Sequence, residues 1–115
     1  MSTESEFIDI HEKLNQELRR GALALAVLAC LHEAKYGYAL IDELARRGLE
    51  IDQGTLYPLL RRLEGQGLLQ SSWRIADEAR PRRYYVISPQ GRTVLGQLKE
   101  EWNSIVAAMQ KMLFG

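Results

Sequence analysis

The spacing of apolar residues changes twice along the chain, and this change constrains the fold more than any other feature. Up to about residue 65, apolar side chains recur every three or four positions, which is typical of helices. From Leu69 to Ile75 they alternate with polar residues, which is typical of a strand. Helical spacing returns from Leu95 onward. The sequence therefore predicts a mainly α chain with one small β-hairpin before its last helix.

Helical spacing begins at Phe7 and continues to Glu33. Gly21 lies inside this stretch, and the sequence leaves open whether it forms one helix or two. The half after this glycine is apolar on every side, so we expect it to be buried all round. A turn at residues 36–38 leads into a second helix, which we expect to end near Arg47.

A leucine stripe marks the third helix, with apolar side chains at positions i, i+3, i+4 and i+7: Leu56, Leu59, Leu60 and Leu63. Asp52 is a good N-cap for this helix, and Thr55 is the alternative. If Asp52 is the cap, Pro58 lies beyond the first turn, where its ring crowds the carbonyl of Gly54. Gly65 and Gly67 are expected to end the helix.

Two strand-like runs follow at residues 69–75 and 82–88, and the polar stretch between them is too long for a two-residue turn. Ser88 and Pro89 then suit the N-cap and first position of a last helix. Its apolar residues repeat with alternating spacings of three and four, which is a heptad seam: Leu95, Leu98, Trp102, Ile105, Met109 and Met112. We expect this seam to pack on a second copy of the chain; the alternative is that it folds back onto its own core.

Three helices followed by a hairpin indicate a winged helix-turn-helix, in which the third helix enters the DNA major groove and the wing lies along the backbone. We predict this DNA-binding domain over residues 1–88 and a dimerisation helix over residues 89–115. Charge is also distributed unevenly along the chain. Residues 46–92 carry nine arginines against five acidic residues, a balance of +4, and the rest of the chain carries −4. A basic middle of this kind favours a nucleic-acid contact confined to one region.

Composition excludes several other classes of protein. A single cysteine, Cys30, cannot form an internal disulfide. The most apolar stretch, Ala22–Leu31, is shorter than the ~20 residues that span a bilayer. His11 and His32 are isolated from other metal ligands, and no catalytic triad or phosphate loop is present in the sequence. We therefore expect a cytoplasmic protein without enzymatic activity, cofactor, metal or membrane association.

Several segments carry a family resemblance: residues 18–23 (LRRGAL), 36–40 (YGYAL), 54–64 (GTLYPLLRRLE), 80–88 (RPRRYYVIS) and Gly91. In this order they resemble the PadR family of bacterial transcriptional regulators, over about residues 14–113. The length is similar to that of the short subfamily, which ends in one dimerising helix. The resemblance implies a homodimer that binds duplex DNA at an inverted-repeat operator, most often as a repressor.

The outward-facing residues of the third helix are the candidate DNA contacts: Gln53, Thr55, Tyr57, Arg61 and Arg62. We expect the first three to lie nearest the base edges and the two arginines to contact phosphates. For Tyr57, partial burial in the core is an equally open alternative.

The wing supplies a second basic cluster at Arg80, Arg82 and Arg83. Phosphate or minor-groove contact is the functional interpretation, and solubility is the alternative. Because strand residues alternate, Arg82 and Arg83 cannot both face the same surface. Of Tyr36 and Tyr38, one is expected to pack in the core, and we assign the phosphate contact to Tyr38.

In multidrug-sensing members of the short subfamily, a tryptophan at the matching helix position lines a pore between subunits and stacks flat aromatic ligands. The resemblance therefore makes four residues candidate contacts for a small aromatic ligand: Trp102, Ile105, Val106 and Met109. The alternative is a tryptophan that merely fills the dimer core. Two other functions remain open from the sequence: a winged-helix adaptor that docks an acidic protein, and a ligand carrier that does not bind DNA.

Overall fold

The computed structural model describes residues 3–75 and 80–115 and shows a mainly helical chain with one small antiparallel sheet. In chain order the elements are α1 (Glu4–Cys30), β1 (Lys35–Tyr36), α2 (Gly37–Arg46), α3 (Gln53–Gly65), β2 (Leu69–Arg74), β3 (Arg82–Ile87) and α4 (Pro89–Phe114). The predicted fold class, a winged helix-turn-helix followed by one long helix, is confirmed. Residues 76–79 of the predicted wing tip, which include Asp77 and Glu78, lie outside the described residues.

Helix α1 is continuous through Gly21. It begins before the predicted Phe7 because Thr3 and Glu6 form a capping box, with the Glu6 backbone N–H donating to Thr3 Oγ1 at 3.4 Å. The expected burial of its second half on all sides is wrong. Helices α2 and α4 pack against only part of its surface, and Ala29 stays exposed between buried neighbours.

Helix α3 begins at the N-cap Asp52, whose Oδ1 accepts a 2.8 Å hydrogen bond from the backbone N–H of Thr55. Hydrogen bonding from Thr55 also lowers the pKa of the Asp52 carboxyl, so the cap stays ionised at neutral pH. Pro58 lies inside the helix, as this capping position requires. The leucine stripe is buried, with Leu56 and Leu60 completely inaccessible. Burying each such side chain contributes about 1.5–3 kcal/mol.

The sheet has three strands in the order β1-β3-β2, which corrects the predicted two-stranded hairpin. Residues 35–36 pair with β3, placing Lys35 opposite Tyr85 and Tyr36 opposite Tyr84. A strand of two residues is too short to show an alternating pattern, so the sequence could not reveal it. The Lys35 ammonium secures this short strand by donating to the Cys30 carbonyl at 2.8 Å.

Helix α4 joins the core through its first turn. Ser88 is the N-cap, as predicted: its hydroxyl accepts from the Gly91 N–H at 2.9 Å and donates to the Gly67 carbonyl at 2.6 Å. Beyond Leu95, which packs against the core, the heptad seam is exposed by 37–75%. The seam therefore does not fold back onto the core of its own chain.

The first prediction concerns the close approach of α4 to the loop before β2. A Cβ atom at Gly91 would overlap the Leu68 carbonyl oxygen and the Ile87 side chain. We expect Gly91→Ala to destabilise the fold by about 1–3 kcal/mol, because backbone must move to make room. Thermal unfolding followed by circular dichroism measures this as a lower Tm.

Gly96→Ala is the matched control, since this glycine lies in the same helix and a Cβ atom there would meet only open space. Alanine there should raise stability by up to about 1 kcal/mol through helix propensity. Equal Tm values for the two variants would contradict the close packing at Gly91.

Candidate nucleic-acid interface

Helix α3 presents a polar face to solvent, opposite the side that carries the buried leucines. The face consists of exposed residues at four predicted contact positions: Gln53, Thr55, Arg61 and Arg62. Among the residues described, neither arginine has a carboxylate within ion-pairing distance. Both guanidinium groups are thus available to an external anion, which is the chemistry expected of a phosphate contact.

Tyr57 has a packing role in addition to its place on α3. Its phenol ring lies against Gly37, the first residue of α2, so closely that a Cβ atom at Gly37 would overlap it. Burial raises the pKa of Tyr57, with smaller contributions from Tyr38 and Tyr85, so the hydroxyl keeps its proton and can donate a hydrogen bond. The partial burial that the sequence left open is therefore present.

The wing and the start of α2 enclose a cleft of about 520 Å³, which we call the wing cleft. Its lining combines aromatic rings with guanidinium groups: Tyr36, Gly37, Tyr38, Tyr57, Trp73, Arg80, Pro81, Arg82 and Arg83. No carboxylate of the described residues lines it. Because Tyr57 belongs to α3, the wing cleft adjoins the polar face of that helix.

The two adjacent wing arginines face opposite sides of the sheet, as strand alternation predicts. Arg83 reaches α3, where its Nη2 lies 2.9 Å from Glu64 Oε1 and its Nε donates to Ser71 Oγ at 3.0 Å. Ser71 in turn donates to the same Glu64 carboxylate. Arg82 instead stacks on the ring of Tyr36, 4.4 Å from its centroid. Arg83 thus ties the wing to α3, while the charge of Arg82 stays uncompensated by the described acids.

The remaining predicted contacts are placed as follows. Arg80 and Tyr38 are exposed and line the wing cleft, and the Tyr38 side chain is 59% accessible. The candidate ligand contacts lie far along the chain on one face of α4, all exposed: Trp102, Ile105, Val106 and Met109. The wing cleft brings together five of the DNA candidates: Tyr38, Tyr57, Arg80, Arg82 and Arg83. The other four lie on α3 outside its lining, and the ligand candidates lie on α4.

Sequence reasoning missed three residues of this surface. Tyr36 and Trp73 line the wing cleft, and Glu64 holds Arg83. The sequence leaves Tyr36 for core packing, but in the structure it is half-buried, outside the core cluster and at the wing cleft. The resemblance of residues 54–64 included Glu64 and assigned it no role. Trp73 was visible only as one of the apolar residues of the alternating run at residues 69–75.

Neither a membrane-spanning helix nor a cluster of metal ligands is found in the part of the chain that the structure describes. Residues 3–75 and 80–115 contain no helix long and apolar enough to span a bilayer. Within these same ranges, no three His, Cys, Asp or Glu side chains gather closely enough to hold a metal ion.

Comparison with known proteins agrees with this geometry. The sequence model described as the transcriptional regulator PadR-like family matches residues 27–97. A transcriptional regulator of Mycobacterium tuberculosis is 43% identical over 84 residues, which cover 70% of this chain and 75% of that protein.

Solved structures of PadR proteins have the same fold. A PadR family transcriptional regulator from Eggerthella lenta superposes with a TM-score of 0.83 at 43% identity, covering 93% of this chain and 95% of the other. A PadR-like transcriptional regulator from Bacillus cereus gives a TM-score of 0.77 at 27% identity, covering 86% and 98%. The chain therefore belongs to the PadR-like family of transcriptional regulators, and it is a regulator of transcription and not an enzyme.

Proposed function

We propose that the protein represses transcription in the cytoplasm by binding, as a homodimer, to an inverted-repeat DNA operator. The observation that carries this proposal is the continuity of the polar face of α3 with the wing cleft, a surface rich in arginine. Its described part offers duplex DNA guanidinium groups at Arg61, Arg62, Arg80 and Arg82. A surface of this kind suits a groove flanked by two phosphate backbones.

The position of each residue suggests its role. Gln53 and Thr55 stand in the first turn of α3, which lies nearest the base edges when such a helix enters the major groove. Glutamine can pair with adenine through two hydrogen bonds. Arg61 and Arg62 lie two turns further on and contact phosphates, and Tyr38 donates its hydroxyl to the backbone beside the wing. Tyr57 supports this surface and contributes a hydroxyl to it.

Dimerisation through α4 follows from its exposed seam. The apolar side chains of this heptad stripe do not pack on the rest of their own chain and stay accessible to water. Such a stripe is stabilised when a second apolar surface covers it. A second copy of the same helix is such a surface. We assign residues 89–115 to this role, and the two copies of α3 then enter half-sites separated by about 34–36 Å, one turn of DNA.

A small aromatic ligand between the subunits would release DNA by changing the separation of the two α3 helices. Trp102 supports this part of the proposal, because it stands in the seam with apolar neighbours at positions one turn away. Tryptophan interdigitates poorly in such a seam, so it can hold two helices apart and offer its ring face. To lower the occupied fraction of the operator from 99% to 1%, the ligand would have to bind the DNA-free state more tightly than the DNA-bound state by about 5.5 kcal/mol.

The function is tested by selecting fragments of sheared genomic DNA with the purified protein at physiological salt. We expect enrichment of a short inverted repeat near a promoter. Arg61→Ala should weaken binding to this repeat and to other sequences by the same factor, since one phosphate contact is lost. For the same reason it should reduce the slope of log K against log salt concentration by about 0.9 per subunit. Fluorescence anisotropy at several salt concentrations measures both quantities.

Two further variants sharpen this experiment. Arg46→Ala removes the same charge from the last turn of α2, where the arginine pairs with Asp42 at 3.0 Å, and it should leave the slope unchanged. Gln53→Ala should lose discrimination at one base pair, by about 1–3 kcal/mol. Uniform recovery of fragments that disappears with added salt would reject sequence-specific regulation and favour an adaptor that docks an acidic protein.

Dimerisation is tested by placing a charge in the seam. Ile105→Asp should convert the dimer to a monomer, because a carboxylate buried between two apolar helices has no partner there. Analytical ultracentrifugation measures the mass, and operator affinity should fall together with it. Lys99→Asp, outside the seam of the same helix, is the control. A monomeric wild-type chain would overturn the proposed assembly.

Ligand binding is tested with an acridine dye as the probe and dye anisotropy as the measurement. Trp102→Ala should weaken dye binding by about tenfold, the upper range for losing one aromatic stacking pair. Trp73→Ala, which removes the chain's other tryptophan, should leave it unchanged. Equal losses in both variants, or no dye binding to the wild-type dimer, would reject Trp102 as the contact.

A further inference from the structure

The sheet face that points away from α3 carries a stack of arginine and tyrosine side chains across all three strands. Pairing places Tyr36 opposite Tyr84 and Arg82 opposite Arg74. The Arg82 guanidinium carbon lies 4.4 Å from the centroid of the Tyr36 ring, and that of Arg74 lies 4.7 Å from the Tyr84 centroid. The two rings meet edge to face, with centroids 5.6 Å apart. Each arginine thus rests on its own tyrosine.

The two arginine–tyrosine pairs differ in their place relative to the wing cleft. Tyr36 and Arg82 both line it, whereas Arg74 and Tyr84 are not among the described residues that do so. Arg82 also differs from Arg83, whose charge is met by Glu64. Among the described residues, Arg82 has no carboxylate within 4 Å. Its only described partner is therefore the ring of Tyr36.

The chemistry of the pair defines what it can do. A guanidinium group that stacks on a ring uses its flat face and leaves its N–H donors free around its edge. Those in-plane donors are the ones that meet phosphate oxygens two at a time. A stacked arginine has also given up much of its side-chain freedom before any ligand arrives. Arg82 is thus held in a form prepared for an anion.

We propose that Tyr36 is a positioning residue for DNA binding: its ring holds the Arg82 guanidinium at the wing cleft with the N–H edge free for a DNA phosphate. This inference rests on the proposed function. It also assigns a role to the two-residue strand β1, because the pairing of β1 with β3 places the Tyr36 ring against the Arg82 guanidinium.

A double-mutant cycle on the selected operator tests the proposal. Tyr36→Leu should weaken binding by about two- to fivefold per subunit and make the salt dependence shallower, while Tyr36→Phe keeps the ring and should match the wild type. In an Arg82→Gln background, Tyr36→Leu should have no further effect on affinity. A purely structural role for Tyr36 would instead give the same loss in both backgrounds.

Arg82→Lys gives a second test that leaves the half-buried tyrosine in place. Lysine keeps the positive charge but lacks the planar face and the fork of donors, so it should bind DNA as weakly as Tyr36→Leu. Arg74→Gln is the control for a stacked arginine outside the wing cleft, and it should keep the wild-type salt slope.

The outcomes separate this inference from the proposed function. In the free protein, the ring current of Tyr36 should shift the Arg82 side-chain protons upfield in NMR spectra, and Tyr36→Phe should keep that shift. If wild-type protein binds the operator but the cycle shows additive losses, or Arg82→Lys binds as well as wild type, the positioning role is overturned and the proposed function stands. If wild-type protein has no preference for any duplex sequence, both are overturned.

Discussion

The pairing of residues 35–36 with β3 determines where the rest of the proposed DNA-binding surface lies. Helix α2 begins at Gly37, immediately after this strand, so the two-residue pairing fixes the start of α2 beside the wing. Tyr57 of α3 then packs on Gly37 itself. A strand this short is weak alone, and nearby contacts support it: the Ile87 N–H donates to the Leu31 carbonyl at 2.8 Å, just before the strand. One pairing of two residues, between segments about 50 positions apart, thereby brings the start of α2, Tyr57 of α3 and the wing together.

Most of the fold could be predicted from the sequence because its signals are local. The leucine stripe of α3, its Asp52 cap, and the Ser88 cap of α4 each depend on residues within about two turns of one another. The two incorrect predictions, a two-stranded hairpin and a fully buried second half of α1, concern features that local signals do not determine. Strand β1 has too few residues for a period, and the burial of α1 depends on how much of its circumference other helices cover.

The candidate site was only partly predictable, since alternation could separate Arg82 from Arg83 without saying which one faces α3. That choice depends on Glu64, 19 positions earlier in the sequence, whose carboxylate contacts Arg83 of β3 and Ser71 of β2. Tyr57 shows the same limit, because its partial burial results from the absence of a side chain at Gly37. Contacts between positions far apart in the sequence determine where the side chains of Arg83 and Tyr57 lie. A periodic pattern contains no information about such contacts.

The link from Arg83 to Glu64 and Ser71 has a thermodynamic consequence for recognition. Because Arg83 and Ser71 already fix the strands of the wing to α3 before DNA is present, association orders little additional protein at that point. The entropic cost of binding is then concentrated in long exposed side chains such as Arg61 and Arg62. In the proposed dimer, a rearrangement between the two subunits would move each winged domain as a rigid body. It would alter the span between half-sites while preserving the shape that each copy presents to its own half-site.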